Sequence, residues 1–375
     1  MTTTSTKTPA APATSVPAKV RFDGADPFQK QLKRRVDRYF RMTGRSERDS
    51  PRMYLKTAAV FAWAITSYVL LVFVVSSWWL AVPLAISIGL ATAAIGFNVQ
   101  HDGSHNAYSK HGWINKLMAL TLDMVGGSSF VWARKHNTIH HTYTNIAGYD
   151  DDIDVGWFGR LSPEQKHLPF HRAQHLYLWV LYAFLPMKWQ WYDDFHNVAA
   201  GRIGSQPIKR PKGWDLFFFI LGKAFFFGYA LVLPMFFHPW WAVLACYAIA
   251  CFAQGVVLSV VFQMAHVVEE AGFPAPDAET NRMPHSWAVH QILTTVDFAR
   301  NNKLLSWYVG GLNFQVEHHL FPRICHIHYP QIAKLVERYC ARTGVPYRAN
   351  KTLTSAIRSH YRWVKRMGQP NAVAA

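Results

Sequence analysis

The sequence predicts an all-α integral membrane protein: two transmembrane hairpins, giving four spans, beneath a cytoplasmic helical cap. Three observations predict it. Thr57 to Gln100 contains no charged residue, and Leu216 to Met264 contains one, Lys223. A span needs about 20 apolar residues, so each run fits two. Each run is broken near its middle by a turn with paired tryptophans, Ser76-Ser77-Trp78-Trp79 and His238-Pro239-Trp240-Trp241, the composition of an interfacial anchor. Finally, charged residues are only 16% of the 375 residues while apolar ones are 50%; soluble domains carry roughly 25% charged residues. Disorder over most of the chain and a highly charged soluble helical protein are both excluded.

The elements follow in chain order. Residues 1–29 read as a disordered N-terminal tail. The first twenty are mostly Thr, Ala, Pro and Ser and lack an apolar core of signal-peptide length. Residues 30–56 are strongly basic, with Lys30, Lys33, Arg34, Arg35, Arg38, Arg41, Arg45, Arg48, Arg52 and Lys56. Next to an apolar run they read as a juxtamembrane collar rather than a nucleic-acid arm. Neither outer turn has Lys or Arg, so the positive-inside rule places both termini and the connecting segments in the cytoplasm. Two weaker apolar stretches, Leu117–Ala133 and Leu176–Pro186, read as interfacial or packed against the bundle. Lys223 would cost roughly 2.5–3.5 kcal/mol at a bilayer centre; it either snorkels or pairs inside the bundle, or lines a substrate tunnel. Residues 57–345 form the main domain, and residues 346–375 read as a basic C-terminal tail.

The 4 Cys (Cys246, Cys251, Cys325, Cys340) include no CxxC pair, which argues against a thiolate metal cluster. The 19 His carry more information. Three clusters stand out: His101-Asp102-Gly103-Ser104-His105, His136-Asn137-Thr138-Ile139-His140-His141 and Gln315-Val316-Glu317-His318-His319. Side chains at i and i+4 share a helix face, so two imidazoles there can grip one ion. Adjacent histidines point about 100° apart and can reach two different ions. His266, at the end of the last span, faces the same side. If each apolar run is a hairpin, all of these emerge on one face of the membrane. With single spans, about 30 Å of hydrocarbon would separate some of them. His167, His171 and His175 also repeat at four-residue spacing, but Pro169 interrupts them and no carboxylate-rich or double-His element accompanies them; they read as an interfacial stretch.

Neutral imidazole suits Zn, Cu, Fe or Ni. Structural zinc takes only about four ligands. Eight histidines (His101, His105, His136, His140, His141, His266, His318, His319) are too many for one ion and about right for two. Beside a long apolar bundle, such a site points to oxygen chemistry on an alkyl chain and favours iron, because zinc is redox-inert. Imidazole ligands need outer hydrogen-bond acceptors; the candidates are Asp102, Asn145 and Asp152, the last within the run Asp150, Asp151, Asp152, Asp154, all close to the clusters in sequence.

These residues resemble the membrane-bound fatty acid desaturases over roughly residues 55–345. Besides the three boxes, the resemblance includes HHTYTNIAGYDDDID, HQILTTVDFARNN and GGLNFQVEHHLFPRICHIHYP. It implies a non-haem di-iron centre held by the eight histidines, dioxygen as co-substrate, and a cis double bond introduced into a fatty acyl chain carried as an acyl-CoA or a lipid. Gln315 stands where many members have a histidine, as in the front-end subgroup, which inserts a bond between an existing one and the carboxyl end; it can ligate or only hydrogen-bond. Many front-end enzymes carry a fused haem domain with His-Pro-Gly-Gly. Here His238-Pro239 continues into Trp-Trp and residues 1–50 are too few for that domain, so a separate carrier such as ferredoxin with its reductase is expected. The competing readings are a membrane hydroxylase or ketolase with the same site, and a His-rich metal transporter. Transporters usually place ligands at mid-bilayer, whereas these clusters are expected to lie outside the spans. No nucleic-acid-binding module is recognisable.

Overall fold

The computed structural model describes residues 19–22 and 24–372. Among them, four helices are long and apolar enough to cross a membrane: Pro51–Val74, Trp78–Ser104, Trp214–Met235 and Trp240–His266. They form two hairpins, as the broken apolar runs predict, and the chain is a helical membrane protein. Among the described residues strand is confined to two short pairs, Arg202–Ile203 with Gln206–Pro207 and Asp297–Phe298 with Ala349–Asn350.

The hairpin tips meet. Trp78 stacks on Trp241 with ring centroids 5.8 Å apart, and His238 Nε2 donates to the Val72 carbonyl at 2.7 Å. The second and fourth spans form the main helix contact because their facing residues are small. At Gly89 any Cβ would collide with the Ala250 carbonyl oxygen.

Span length positions the site. The second and fourth spans have 27 residues each, or about 40 Å at 1.5 Å per residue. The hydrocarbon core takes about 30 Å. With the tips at one interface, the far ends project beyond the other, and those ends carry His101 and His266. The first box therefore lies on the second span's own continuation, through a π-helical turn Gly96–Gln100, not in a loop after it.

The cap closes over these ends. Its first helix, Pro27–Thr43, is N-capped by Asp26. It buries Leu32, Val36 and Phe40 against Ile332, Val336 and Tyr339 of helix Tyr329–Thr343. This corrects the collar reading of residues 30–56: the helix is amphipathic, its basic face outward. The first span starts at Pro51 rather than Thr57, with Lys56 buried. The tail expected over residues 1–29 is also structured from Val20, which is buried, while Arg21 bridges to Arg282; residues 1–18 and 23 lie outside the described residues. The expected C-terminal tail is likewise part of the fold. Helix Leu353–Met367 buries Trp363, Val364 and Met367, and Trp363 stacks on Phe273 at 4.7 Å.

The weaker apolar stretches pack against the bundle. Helix Gln174–Ala183 lies along the fourth span, and Ser259 Oγ donates to the Tyr182 carbonyl. Lys223 pairs inside the protein: its ammonium is 2.7 Å from Asp194 Oδ2 and 2.7 Å from the Gly126 carbonyl. Burial pushes the Asp194 carboxyl up to about 6, against the pull of Lys223.

Candidate metal centre

The three boxes and His266 converge at the junction of spans and cap, all eight histidines buried. Their ring nitrogens form two lobes. His101, His105, His136 and His318 offer ligand atoms within 4.8 Å of one another, and so do His140, His266 and His319. His141 joins the lobes, grouping with both His318 and His319. The adjacent pairs act as the helical phase predicts: His318 and His319 face different lobes, and His141 sits between the lobes while His140 faces one of them.

Local structure explains the convergence. Box two is locally underwound: helix Ser129–Arg134 continues as a π-helical segment, Lys135–His140, which turns His136, His140 and His141 toward the centre. Box three rides on a helix of only six residues, Gln315–Leu320, too short to hold itself in place. Asp297 anchors its start by accepting from the Val316 amide at 3.1 Å. Ahead of it, Gly310 and Gly311 have φ +62° and +67°, which lets the chain reverse tightly against Phe97.

The arrangement fits metal ions. Burial, reinforced by neighbouring histidines, pushes His105, His141, His318 and His319 well below the usual imidazole range; the neutral form is the ligating one. His140 is the exception. Burial opposes its protonation, but the Asp150 and Asp152 carboxylates together outweigh it and raise the pKa. Among the described residues, Nε2 of His105, His141, His318 and His319 has no hydrogen-bond partner. Four buried orphans in one place call for a shared acceptor of lone pairs. His101 Nε2 and His136 Nε2 lie 3.2 Å apart, close to the ~3.0–3.4 Å expected of two nitrogens each about 2.1 Å from one ion.

Outer partners hold the rings by Nδ1 and leave Nε2 pointing inward. His140 donates to both carboxylate oxygens of Asp150 at 3.1 Å. His319 donates to Gln291 Oε1 at 2.7 Å, and His266 to the Thr294 carbonyl at 3.3 Å. His318 Nδ1 lies 3.3 Å from the Tyr329 hydroxyl. Asp150 is thus the main carboxylate partner; Asp152 contributes more weakly, 3.4 Å from His140 and 4.0 Å from His136. Asp102, expected as an outer partner of box one, instead accepts from His326 Nδ1 at 2.9 Å, and His326 Nε2 meets Lys56 at 2.9 Å. Asn145 bonds no ring. With φ +58°, its amide ties together the His266, Gly272 and Thr294 carbonyls. Gln315 does face the centre, its Oε1 unpartnered among the described residues. Asp150, Gln291, Thr294 and Tyr329 fall in the stretches that carry the family resemblance, the only signal for them in the sequence.

The His167, His171 and His175 repeat makes no such cluster. His171 accepts from the Leu168 amide and donates to the Trp157 carbonyl at 2.9 Å. His167 donates to Gly368, and His175 packs edge-on against Tyr361.

A channel reaches the centre from the bundle. A cavity of about 300 Å³ lies between the hairpins, walled by Tyr68, Trp78, Tyr229, Trp241 and Cys251. It shares Thr92, Val125, Gln190 and Gln254 with a neck of about 30 Å³. The neck shares His101, Trp132, Trp189, Phe262 and Leu312 with an inner space of about 40 Å³ that also touches His136, His140, His266 and Gln315. Shared walls set the three spaces in series from the hairpin tips to the histidines.

Buried imidazoles at the head of an apolar channel between membrane spans define a histidine-cluster membrane enzyme. The fatty acid desaturase family model matches residues 76–351. The sn-1 linoleoyl-lipid 6-desaturase of Arthrospira platensis is 40% identical over 356 residues, covering 94% of this chain and 96% of the relative. The enzyme of the same description from Synechocystis sp. is 39% identical, covering 94% and 98%. The acyl-lipid (8-3)-desaturase of Physcomitrium patens is 36% identical, covering 91% and 72%. The chain belongs to the fatty acid desaturase family.

Proposed function

We propose that this enzyme is a front-end acyl-lipid desaturase that inserts a cis double bond at carbon 6 of a lipid-bound linoleoyl chain. The observation that carries the reading is the meeting of eight imidazoles at the head of the channel. The carbon position and the carrier rest on the two relatives named for them, each similar over nearly its full length. Two irons, held by His101, His105, His136 and His318 on one side, by His140, His266 and His319 on the other and by His141 between them, would supply the activation of dioxygen. Gln315 faces that centre and would orient or ligate.

The chain's own residues do the rest. The cavity between the hairpins takes the methyl end, while the lipid headgroup stays at the cap. Which carbons meet the centre then depends on how the neck grips the chain. The cap and the packed walls exclude water. The reaction balances: two hydrogens leave neighbouring carbons, dioxygen takes two electrons from the chain and two from a carrier together with two protons, and two waters form. The test is expression in a host whose lipids contain linoleate, followed by chromatography of methyl esters. The expected product is an 18-carbon chain with new unsaturation at carbon 6. An oxygenated product or an unchanged profile would sink the reading.

The basic residues of the cap support two further parts of this reading: an acidic one-electron carrier such as ferredoxin, and a cytoplasmic cap with both termini on that side. Arg34, Arg38 and Arg41 are exposed on the first cap helix; Arg323, Lys334, Arg338 and Arg342 are exposed near box three. Helix Tyr329–Thr343 bears three of these and, through Tyr329, touches His318. Such docking is screened beyond about 8–10 Å at physiological salt. Reversing Arg323, Lys334, Arg338 and Arg342 to Glu should raise the KM for ferredoxin about tenfold and flatten its salt dependence, with iron retained. Unchanged kinetics would leave that surface to anionic lipid.

A further inference from the structure

We propose that Gln100 reads the double bond already present in the substrate. The inference rests on the front-end reading, in which the chain enters with unsaturation on the methyl side of the reacting carbons. Gln100 is 2% exposed and lines the neck. Its Nε2 has no hydrogen-bond partner among the described residues, in a wall that is otherwise largely apolar, with Phe97, Leu122, Val125, Leu258 and Leu312. A neck of about 30 Å³ has room for about one water when empty, and an acyl chain would displace it.

Once water has left, the amide needs an acceptor from the chain itself, because a buried donor without a partner is costly. A saturated chain offers none. The π electrons of a double bond accept an N–H weakly. Position supports the assignment. Gln100 immediately precedes His101 in the π-helical turn Gly96–Gln100, so it lies within ~2 Å of His101 along the helix axis. The neck leads from there toward the hairpin cavity, which takes the methyl end. Carbons just past the reacting pair therefore pass Gln100, and in a front-end substrate those carbons carry the nearest existing double bond. Gln254, farther along the same wall, is placed to meet carbons nearer the methyl end.

The test is equilibrium binding of acyl lipids to the intact enzyme under argon without reductant, so that no turnover occurs, with 18-carbon chains bearing zero, one or two cis double bonds. Wild type should bind the dienoyl chain roughly fivefold more tightly than the saturated one, the size of one weak hydrogen bond gained plus relief of an unmet donor. Gln100→Met, of similar length and without a donor, should bring that ratio below about twofold by tightening the saturated chain, with iron content unchanged. Product profiles of the two proteins on mixed lipids should shift in the same sense. Equal binding of all three chains by wild type, or an unaltered ratio in the variant, would overturn the proposal. The parent reading fails separately, if wild type leaves linoleoyl lipid unmodified in air with its reductant.

Discussion

Replacing His140 or His318 with alanine is expected to reduce turnover to background and to lower iron content. The two residues sit in different lobes, so each removal should weaken one half of the centre: His140 with His266 and His319, His318 with His101, His105 and His136. Each variant also unpairs an outer partner, Asp150 for His140 and the Tyr329 hydroxyl for His318. Loss of an outer partner alone costs about 10–100-fold in metal affinity or activity, which is the effect expected of Asp150→Ala, so loss of a ligand should exceed it. His171→Ala is the control. It removes two hydrogen bonds to backbone and should cost about 1–3 kcal/mol of stability, yet leave iron content alone because it lies in no cluster. Iron measured by mass spectrometry on purified protein decides the matter. Full iron and full activity in either box variant would remove it from the ligand set.

The membrane architecture was legible because hydrocarbon imposes a one-dimensional rule: an uncharged run with a break in the middle must fold back. The eight histidines were legible for the same reason, since hairpins return every cluster to one side. What the sequence concealed is set by packing between distant segments. Asp102 sits next to a box histidine and reads as its partner, but its carboxylate reaches His326, more than 200 residues away. Within a run of four acids the sequence reading picks Asp152; the fold instead puts Asp150 within 3.1 Å of His140 and leaves Asp152 partly exposed beside Lys135. Helix Pro27–Thr43 looked mostly like a juxtamembrane collar and Leu353–Met367 like a tail because their basic faces dominate the composition. Their apolar stripes have a destination only once the cap exists. Lys56 looked like the last residue of a collar, yet it is buried against His326.

Gly96→Leu is expected to block the enzyme without touching its metal site. Gly96 lines the neck between the hairpin cavity and the histidines. Its backbone is ordinary helix, φ −56°, so a side chain causes no strain there, and a Cβ at this position meets no atom within 4 Å. The space that receives it is the neck itself, about 30 Å³. The four carbons of a leucine side chain would fill the stretch that lies between the two larger spaces. Stability should hold or rise, because leucine is favoured over glycine in a helix by up to about 1 kcal/mol and would bury apolar surface. Turnover on an 18-carbon chain should fall at least 100-fold while iron content and melting temperature stay at wild-type values, a pattern that separates obstruction from the metal loss expected of the histidine variants. Gly96→Ala adds one carbon to the same wall and should slow turnover only partially. Wild-type turnover by the Gly96→Leu variant would show that the acyl chain reaches the centre by another route.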